Sequence, residues 1–369
     1  MASGFGERLR VSIYGESHGN GIGAVIEGLP AGEPVDPARL MRFMERRQGG
    51  RNALSTARKE PDIPEFVSGI FENKTTGFPV CIRIANTNTR SGDYSDLALK
   101  PRPSHADYSA YIKWHGAADM RGGGHFSGRL TAPLCAAGAI ALQILARHNI
   151  FVGAHLSSIG TVKDDPFPML PDSTLFSQIA EKAFPVISDE KGIRMQEEIL
   201  AAREAQDSVG GTVECMVTGL PAGLGDPMFD GMENRLARVL FGIPAVKGVE
   251  FGDGFALSEM RGSQANDPFC TDAEGNIVTE TNRNGGILGG ITTGMPLRFR
   301  VGIKPTPSIA QPQKTVSLPE GTETVLEIRG RHDPCIAQRA VPVIEAAAAL
   351  TVLDVLLCDR SGMFEEGRL

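Results

Sequence analysis

Two runs of small and apolar residues stand out from the pattern of the chain. The first, Pro133 to Leu145, reads PLCAAGAIALQIL and carries no charged residue on any face. That pattern predicts a helix buried all round rather than an amphipathic one, and such a helix needs layers on both sides. The second run, PVIEAAAALTVLDVLL, lies near the C-terminal end. Val80 to Ala85 and Leu297 to Ile303 alternate in strand fashion, with Arg298 and Arg300 facing away from the core. Pro37 to Arg47 reads as a helix with Pro at its start and Leu40, Phe43 and Met44 on one face. Leu175 to Phe184 and Arg194 to Ala205 read as amphipathic helices, and Arg360 to Leu369 as a tail. Strands and helices alternating with Gly/Pro turns predict an α/β layered sandwich, with the small-residue helices buried between antiparallel sheets.

The two halves echo each other. Gly28-Leu-Pro-Ala-Gly32 recurs as Gly219-Leu-Pro-Ala-Gly223, and the stretch Thr75 to Ile84 recurs as Thr292 to Val301. Arg121 and Arg129, leading into the first small-residue run, match Arg331 and Arg339, leading into the second. The expectation is one domain over residues 1–359, built from pseudo-symmetric halves at about 8–150 and 205–359. Divergence between the copies sets His18 opposite Val209, Gly123 opposite Asp333 and His125 opposite Cys335, which suggests a single asymmetric active site.

Composition narrows the function classes. With 369 residues, 41% hydrophobic and 22% charged, the chain has the make-up of an ordinary globular protein. A net charge of −7 argues against a general nucleic-acid or membrane-surface partner, while a local basic patch can still bind an anion. The six cysteines include no C-x-x-C pair and no metal spacing, and Cys135 and Cys358 read as core thiols. No signal-like start and no apolar stretch of membrane character is evident, so the expectation is a cytoplasmic protein.

Candidate chemistry clusters in five places. Arg121-Gly-Gly-Gly-His-Phe-Ser-Gly-Arg129 is a glycine-rich loop running into a helix N-terminus, a plausible anion site. Gly15-Glu-Ser-His-Gly19 sets Ser17 beside His18 in a Gly-flanked turn, able to bind an oxyanion and give a proton to a leaving group. A satisfied turn histidine is the plainer alternative. The basic run Arg42, Arg46, Arg47, Arg51, Arg58, Lys59 is interrupted by Gly49-Gly50, which lets arginines turn inward as ligands for carboxylate or phosphate. In Arg102-Pro-Ser-His105-Ala-Asp107-Tyr108, His105 is open to proton transfer, and no third ligand accompanies it and His115 at zinc spacing. Gly330-Arg-His-Asp-Pro334 puts Asp333 at the start of a helix, as a cap or as an acid-base group. Gly285 to Gly290 and Lys304 to Ser308 match neither a Walker loop nor a Rossmann fingerprint.

Taken in order, GESHG, RRQGG, RPSHADY, RGGGHFSGR, VKGVEFGDGF, RGSQANDPF, GGILGGITTG, KPTPS and GRHDPC resemble chorismate synthase, from about residue 8 to about residue 358. The resemblance implies conversion of 5-enolpyruvylshikimate 3-phosphate to chorismate and phosphate by 1,4-elimination, in the shikimate pathway of aromatic amino acid biosynthesis. It also implies a requirement for reduced FMN without net redox change, and a homotetramer. It gives His18 the role of protonating the departing phosphate, His105 a place at the flavin N1/O2 edge and Asp333 that of a relay base near N5. Ser17, Arg47, Arg51, Arg129 and Arg331 are implied to hold the substrate. His125, Phe126, Ser127, Pro244, Ala245, Gly289, Lys304, Pro305, Thr306, Pro307, Ser308 and Arg331 are implied to contact FMN. Two places depart from the pattern: His125-Phe-Ser-Gly where the family often has Arg-Ser-Ser-Ala, and Pro244 where it often has Asn. No segment reads as a built-in NADPH reductase, so reduced flavin is expected from outside. Two other readings stay open on sequence: an FMN-dependent oxidoreductase on the same scaffold, and a non-enzymatic anion- or RNA-binding module.

Overall fold

Two antiparallel sheets of five strands carry the fold. In the first, the strands run in the order Gly4–Phe5, Arg10–Gly15, Gly21–Glu27, Val80–Ala85 and Glu65–Ser68. In the second the order is Val246–Phe251, Leu297–Ile303, Gly211–Thr218, Phe151–Ile159 and Val162–Lys163. Period-two alternation fixes which face turns inward. Leu297, Phe299, Val301 and Ile303 are buried while Arg298 and Arg300 reach out to Asp253 and Glu250. The computed structural model describes residues 3–50, 54, 60–87, 99–318, 320–328 and 333–359.

The two small-residue runs form the helices Thr131–Arg147 and Ala337–Cys358. They pack on each other, the first also against Gly21–Glu27 and Val80–Ala85, the second against Phe151–Ile159 and Gly211–Thr218. Small residues allow this approach: a Cβ on Gly138 would lie 2.3 Å from that of Ala346. The stretch Gly128–Arg147, which holds the first helix, and the second helix are long and apolar enough to cross a membrane, contrary to the expectation from sequence. Their apolar character is accounted for by burial inside the protein, with 89% of each stretch covered. Two carboxylates in the second helix are spent on the fold. Glu345 pairs with Arg46 at 2.5 Å, and Asp354 accepts the backbone N–H groups of Glu7, Arg8 and Leu9.

The helix Pro37–Arg47 has the expected bounds, because Asp36 caps it by accepting from the N–H of Ala38 and Arg39. The two outer helices differ from expectation at their ends. One spans Ser173–Glu181, leaving Phe184 outside, and the other starts early at Asp189–Glu204, where Ser188 caps it and Asp189 and Glu190 suit its first turn. The repeated GLPAG turns make the same bonds. Thr75 Oγ1 donates to the Pro30 carbonyl and accepts from Glu33 N–H; Thr292 Oγ1 donates to the Pro221 carbonyl and accepts from Leu224 N–H. Cys135 is a core thiol whose pKa burial pushes up to about 12. Cys358, expected in the core, is only half-buried at its helix end.

Candidate active site

The triple glycine lies between two histidines. Gly122, Gly123 and Gly124 have φ of 61°, 88° and 53°, in the left-handed region where a side chain is strained. At Gly122 and Gly124 space forbids one as well. A Cβ on Gly122 would sit 2.1 Å from the His18 ring and 3.0 Å from Ser17 Oγ, and one on Gly123 would sit 3.4 Å from His105 Nε2. The Gly124 carbonyl accepts from Ser17 N–H at 3.1 Å, tying the loop to the end of the strand Arg10–Gly15. Ser17 is wholly buried, and its hydroxyl has no hydrogen-bond partner among the described residues. A buried polar group left that way is costly unless something else binds it.

His105 is held from the opposite side to its Nε2. Its Nδ1 lies 2.6 Å from Asp107 Oδ1, and Arg102 clamps the same carboxylate through Nε at 2.7 Å and Nη2 at 2.8 Å. Burial pushes the Asp107 carboxyl up, but the hydrogen bonds from Arg102 and His105 outweigh it and hold the group well below the usual carboxylate range. This loop also meets the second half of the chain. Arg102 Nη1 is 3.5 Å from Ser308 Oγ, and Lys304 donates to the Ser104 carbonyl and, at 3.1 Å, to its hydroxyl. Burial and the nearby Lys247 lower the Lys304 pKa. The Lys304 N–H donates to the carbonyl of Ala245, itself at φ 73°, and Thr306 Oγ1 is buried with no partner among the described residues. The expected cofactor segment 304–308, Ala245 and His105 are thus brought together.

The arginines form a separate node around Asp62. Asp62 is 2% exposed and bridges two guanidiniums, Arg47 Nη1 at 2.5 Å on Oδ2 and Arg129 Nη1 on Oδ1. Arg47 also donates to Thr131 Oγ1 and the Gly128 carbonyl, and burial lowers its pKa to about 10 despite Asp62. Arg129 donates from Nε to Asn86 and has Nη2 4.0 Å from Glu60. Arginines of the basic run do turn inward, but Arg46 and Arg47 turn onto carboxylates of the protein. The Arg47 guanidinium is engaged by the protein and the residue is 3% exposed; Arg129 is held in the same way at 6% exposure. Asp333 is fixed by Arg339 at 2.6 Å, and Arg339 Nε donates to the Arg47 carbonyl.

Comparison with known proteins decides the family. The family model described as chorismate synthase matches residues 9–357. The chain belongs to the chorismate synthase family. A relative named chorismate synthase from Thermococcus kodakarensis is 47% identical, covering 96% of this chain and 98% of its own. Another so named, from Methanocella arvoryzae, is 45% identical over 96% of this chain and 94% of its own. A solved structure titled as a crystal structure of chorismate synthase matches with a TM-score of 0.73 at 28% identity, covering 96% of this chain and 93% of that one.

Against the family expectations, the structure gathers Ser17, His18, His105, Ser127 and the glycine loop, and joins Pro244-Ala245 to Lys304–Ser308. The rings of His125 and Phe126 are engaged elsewhere. His125 Nδ1 donates to the Gly15 carbonyl at 2.8 Å and Nε2 pairs with Ser3 Oγ at 2.8 Å, while Phe126 packs on Trp114 at 5.8 Å between ring centres. These side chains tether the loop that the resemblance assigns to FMN. Gly289 is exposed in a hairpin whose next residue, Gly290, bonds to Met232. Arg51 and Arg331 lie outside the described residues. Sequence reading missed Asp62, Arg102, Asp107 and Asn86. Asp107 stood in the quoted motif RPSHADY, and a carboxylate two residues from a histidine was the available signal.

Proposed function

We propose that the chain converts 5-enolpyruvylshikimate 3-phosphate to chorismate and phosphate by 1,4-elimination with reduced FMN. The observation that carries this reading is the glycine loop between His18 and His105, with the buried, unpartnered Ser17 hydroxyl on the His18 side. A phosphate leaving group needs a proton and hydrogen-bond donors as its charge develops. His18 supplies the proton and Ser17 Oγ a donor. Arg47, Arg51, Arg129 and Arg331 are assigned to the substrate's anionic groups, Arg47 and Arg129 from the node they share with Asp62. Asp333, fixed by Arg339, is assigned the relay of the second proton.

The residues present fit reduced FMN. Thr306 Oγ1 is a buried hydroxyl without a partner among the described residues, Lys304 is a cation beside the His105 loop, and Ser308 borders Arg102. Ser127 contributes from the glycine loop, and Arg331 joins this set by resemblance. When bound, reduced FMN supplies the electron density that expels phosphate, which explains its need in a reaction without net redox change. His105 holds its Nε2 toward that space.

The architecture is read as an internally duplicated layered sandwich in one domain. The matched bonding of Thr75 and Thr292 supports it. A homotetramer in the cytoplasm, supplied with reduced flavin from outside, completes the proposal. The inward-turned Arg46 and Arg47 count against an exposed RNA-binding face.

The test is anaerobic: protein, 5-enolpyruvylshikimate 3-phosphate and a sub-stoichiometric amount of chemically reduced FMN, with phosphate and chorismate followed together. Many turnovers per flavin are expected. One product per flavin oxidised would overturn the elimination in favour of an oxidoreductase.

A further inference from the structure

We infer that Asp107, clamped by Arg102, is a positioning residue that sets the tautomer and direction of His105. The inference rests on the elimination reading for its kinetic consequence and on geometry alone for its structural one. Asp107 opens the helix Asp107–Lys113 and is 7% exposed. Its carboxylate accepts from the Arg102 backbone N–H at 3.0 Å, from Arg102 Nε at 2.7 Å and from Arg102 Nη2 at 2.8 Å. His105 Nδ1 completes the set at 2.6 Å.

A carboxylate ringed by a guanidinium stays ionised, so it only accepts. The hydrogen between Asp107 and His105 therefore belongs to Nδ1, and a neutral His105 carries its lone pair on Nε2. Arg102 Nη2 also lies 3.1 Å from Nδ1, but that nitrogen cannot accept while it carries a hydrogen, so Nη2 donates to Asp107. Nε2 is the ring atom turned to Gly123. Asp107 touches neither of the gathered groups on the far side of the loop; it acts through His105. The contact of Arg102 Nη1 with Ser308 Oγ ties the clamp to the segment assigned to cofactor, so the orientation of His105 is built from both halves of the chain.

Asp107→Asn keeps the shape, reverses the contact with His105 Nδ1 and gives up the acceptor of Arg102 Nη2, while Arg102 N–H and Nε keep theirs. Arg102 retains the amide oxygen, which turns the NH2 group to Nδ1 and favours the tautomer with the hydrogen on Nε2. The same logic costs about 10⁴-fold in a serine-protease triad when its aspartate becomes asparagine. Here a loss in kcat of about 10²-fold or more is expected, with KM changed by less than about 3-fold. The readout that a structural role would not move is a double-mutant comparison: in a His105→Gln background, Asp107→Asn is expected to cost nothing further. An equal loss on both backgrounds overturns the inference.

A second measurement is independent of turnover. Histidine labelled with ¹⁵N, with the His105 signal assigned by its disappearance in His105→Gln, should report hydrogen on Nδ1 at alkaline pH in the wild type and on Nε2 in Asp107→Asn. Hydrogen on Nε2 in the wild type overturns the inference even if Asp107→Asn fails to fold. If the wild type makes no chorismate yet shows the Nδ1 form, the reaction assignment fails and the positioning of His105 stands.

Discussion

Gly122→Ala is expected to damage catalysis far more than folding, and Gly32→Ala separates the two effects. Both glycines have positive φ, 61° and 83°, so each alanine bears a conformational cost of roughly 1–2 kcal/mol. A Cβ on Gly32 meets nothing within 4 Å, whereas one on Gly122 falls 2.1 Å from both Nδ1 and Cε1 of His18. The ring has to retreat by about 1 Å to restore contact distance, and a displacement of that size at a reacting group costs about 100-fold in rate. Urea unfolding and steady-state phosphate release on both variants are the assays. Similar losses of stability, with kcat near wild type for Gly32→Ala and about 100-fold lower for Gly122→Ala, are expected. If Gly122→Ala retains kcat within about twofold at equal stability, the placement of His18 at the reacting phosphate is wrong.

Other outcomes follow from buried charges. Asp62→Ala strands Arg47 and Arg129 without their shared counter-ion and should cost about 3–5 kcal/mol in denaturant unfolding; a change under about 1 kcal/mol would mean the pair relaxes into solvent. His155 is wholly buried between Asp164 at 3.1 Å and Glu214 at 3.0 Å, with Arg298 3.8 Å from Glu214. Burial lowers its pKa, but bonds to the two carboxylates outweigh that and raise it overall. The folded state therefore holds a proton that the unfolded chain releases near pH 6.5, and stability is expected to fall as pH rises from neutrality through the folded pKa. Urea titrations from about pH 6 to 9 check this, and the slope should vanish in His155→Asn.

The parts of the fold that follow from local pattern were legible, and those that depend on long-range pairing were not. The buried helices show in Pro133 to Leu145 and its counterpart because a charge-free face on every side has one physical solution. The helix Pro37–Arg47 shows to the residue because Asp36 and Pro37 are both start signals. At the site, His18 and His105 were found by residue type, while Asp62 escaped notice. It lies 15 residues from Arg47 and 67 from Arg129, and nothing in the order of residues says that one carboxylate will serve both. His125 shows long-range partners from another side. A histidine after three glycines looks poised for a ligand, but a carbonyl from Gly15 and a hydroxyl from Ser3, both distant in sequence, engage it.

Arg47 also explains why an acidic protein can serve a substrate with a phosphate and two carboxylates. Its Nε donates to Thr131 in the first turn of one buried helix, and its carbonyl accepts from Arg339 in the first turn of the other. One residue therefore spans the N-terminal ends of both central helices, which converge on the side of the fold where the glycine loop and Asp333 lie. Each N-terminus contributes a partial positive charge that needs no exposed cation and no counter-ion. Asp62 neutralises part of the charge on Arg47 and Arg129, which lets two guanidiniums be buried together without prohibitive desolvation. The field at the site is then set by fixed helix ends and clamped arginines rather than by mobile surface charge. Such fixed groups are oriented before the substrate arrives, and little reorganisation is left for the moment phosphate departs.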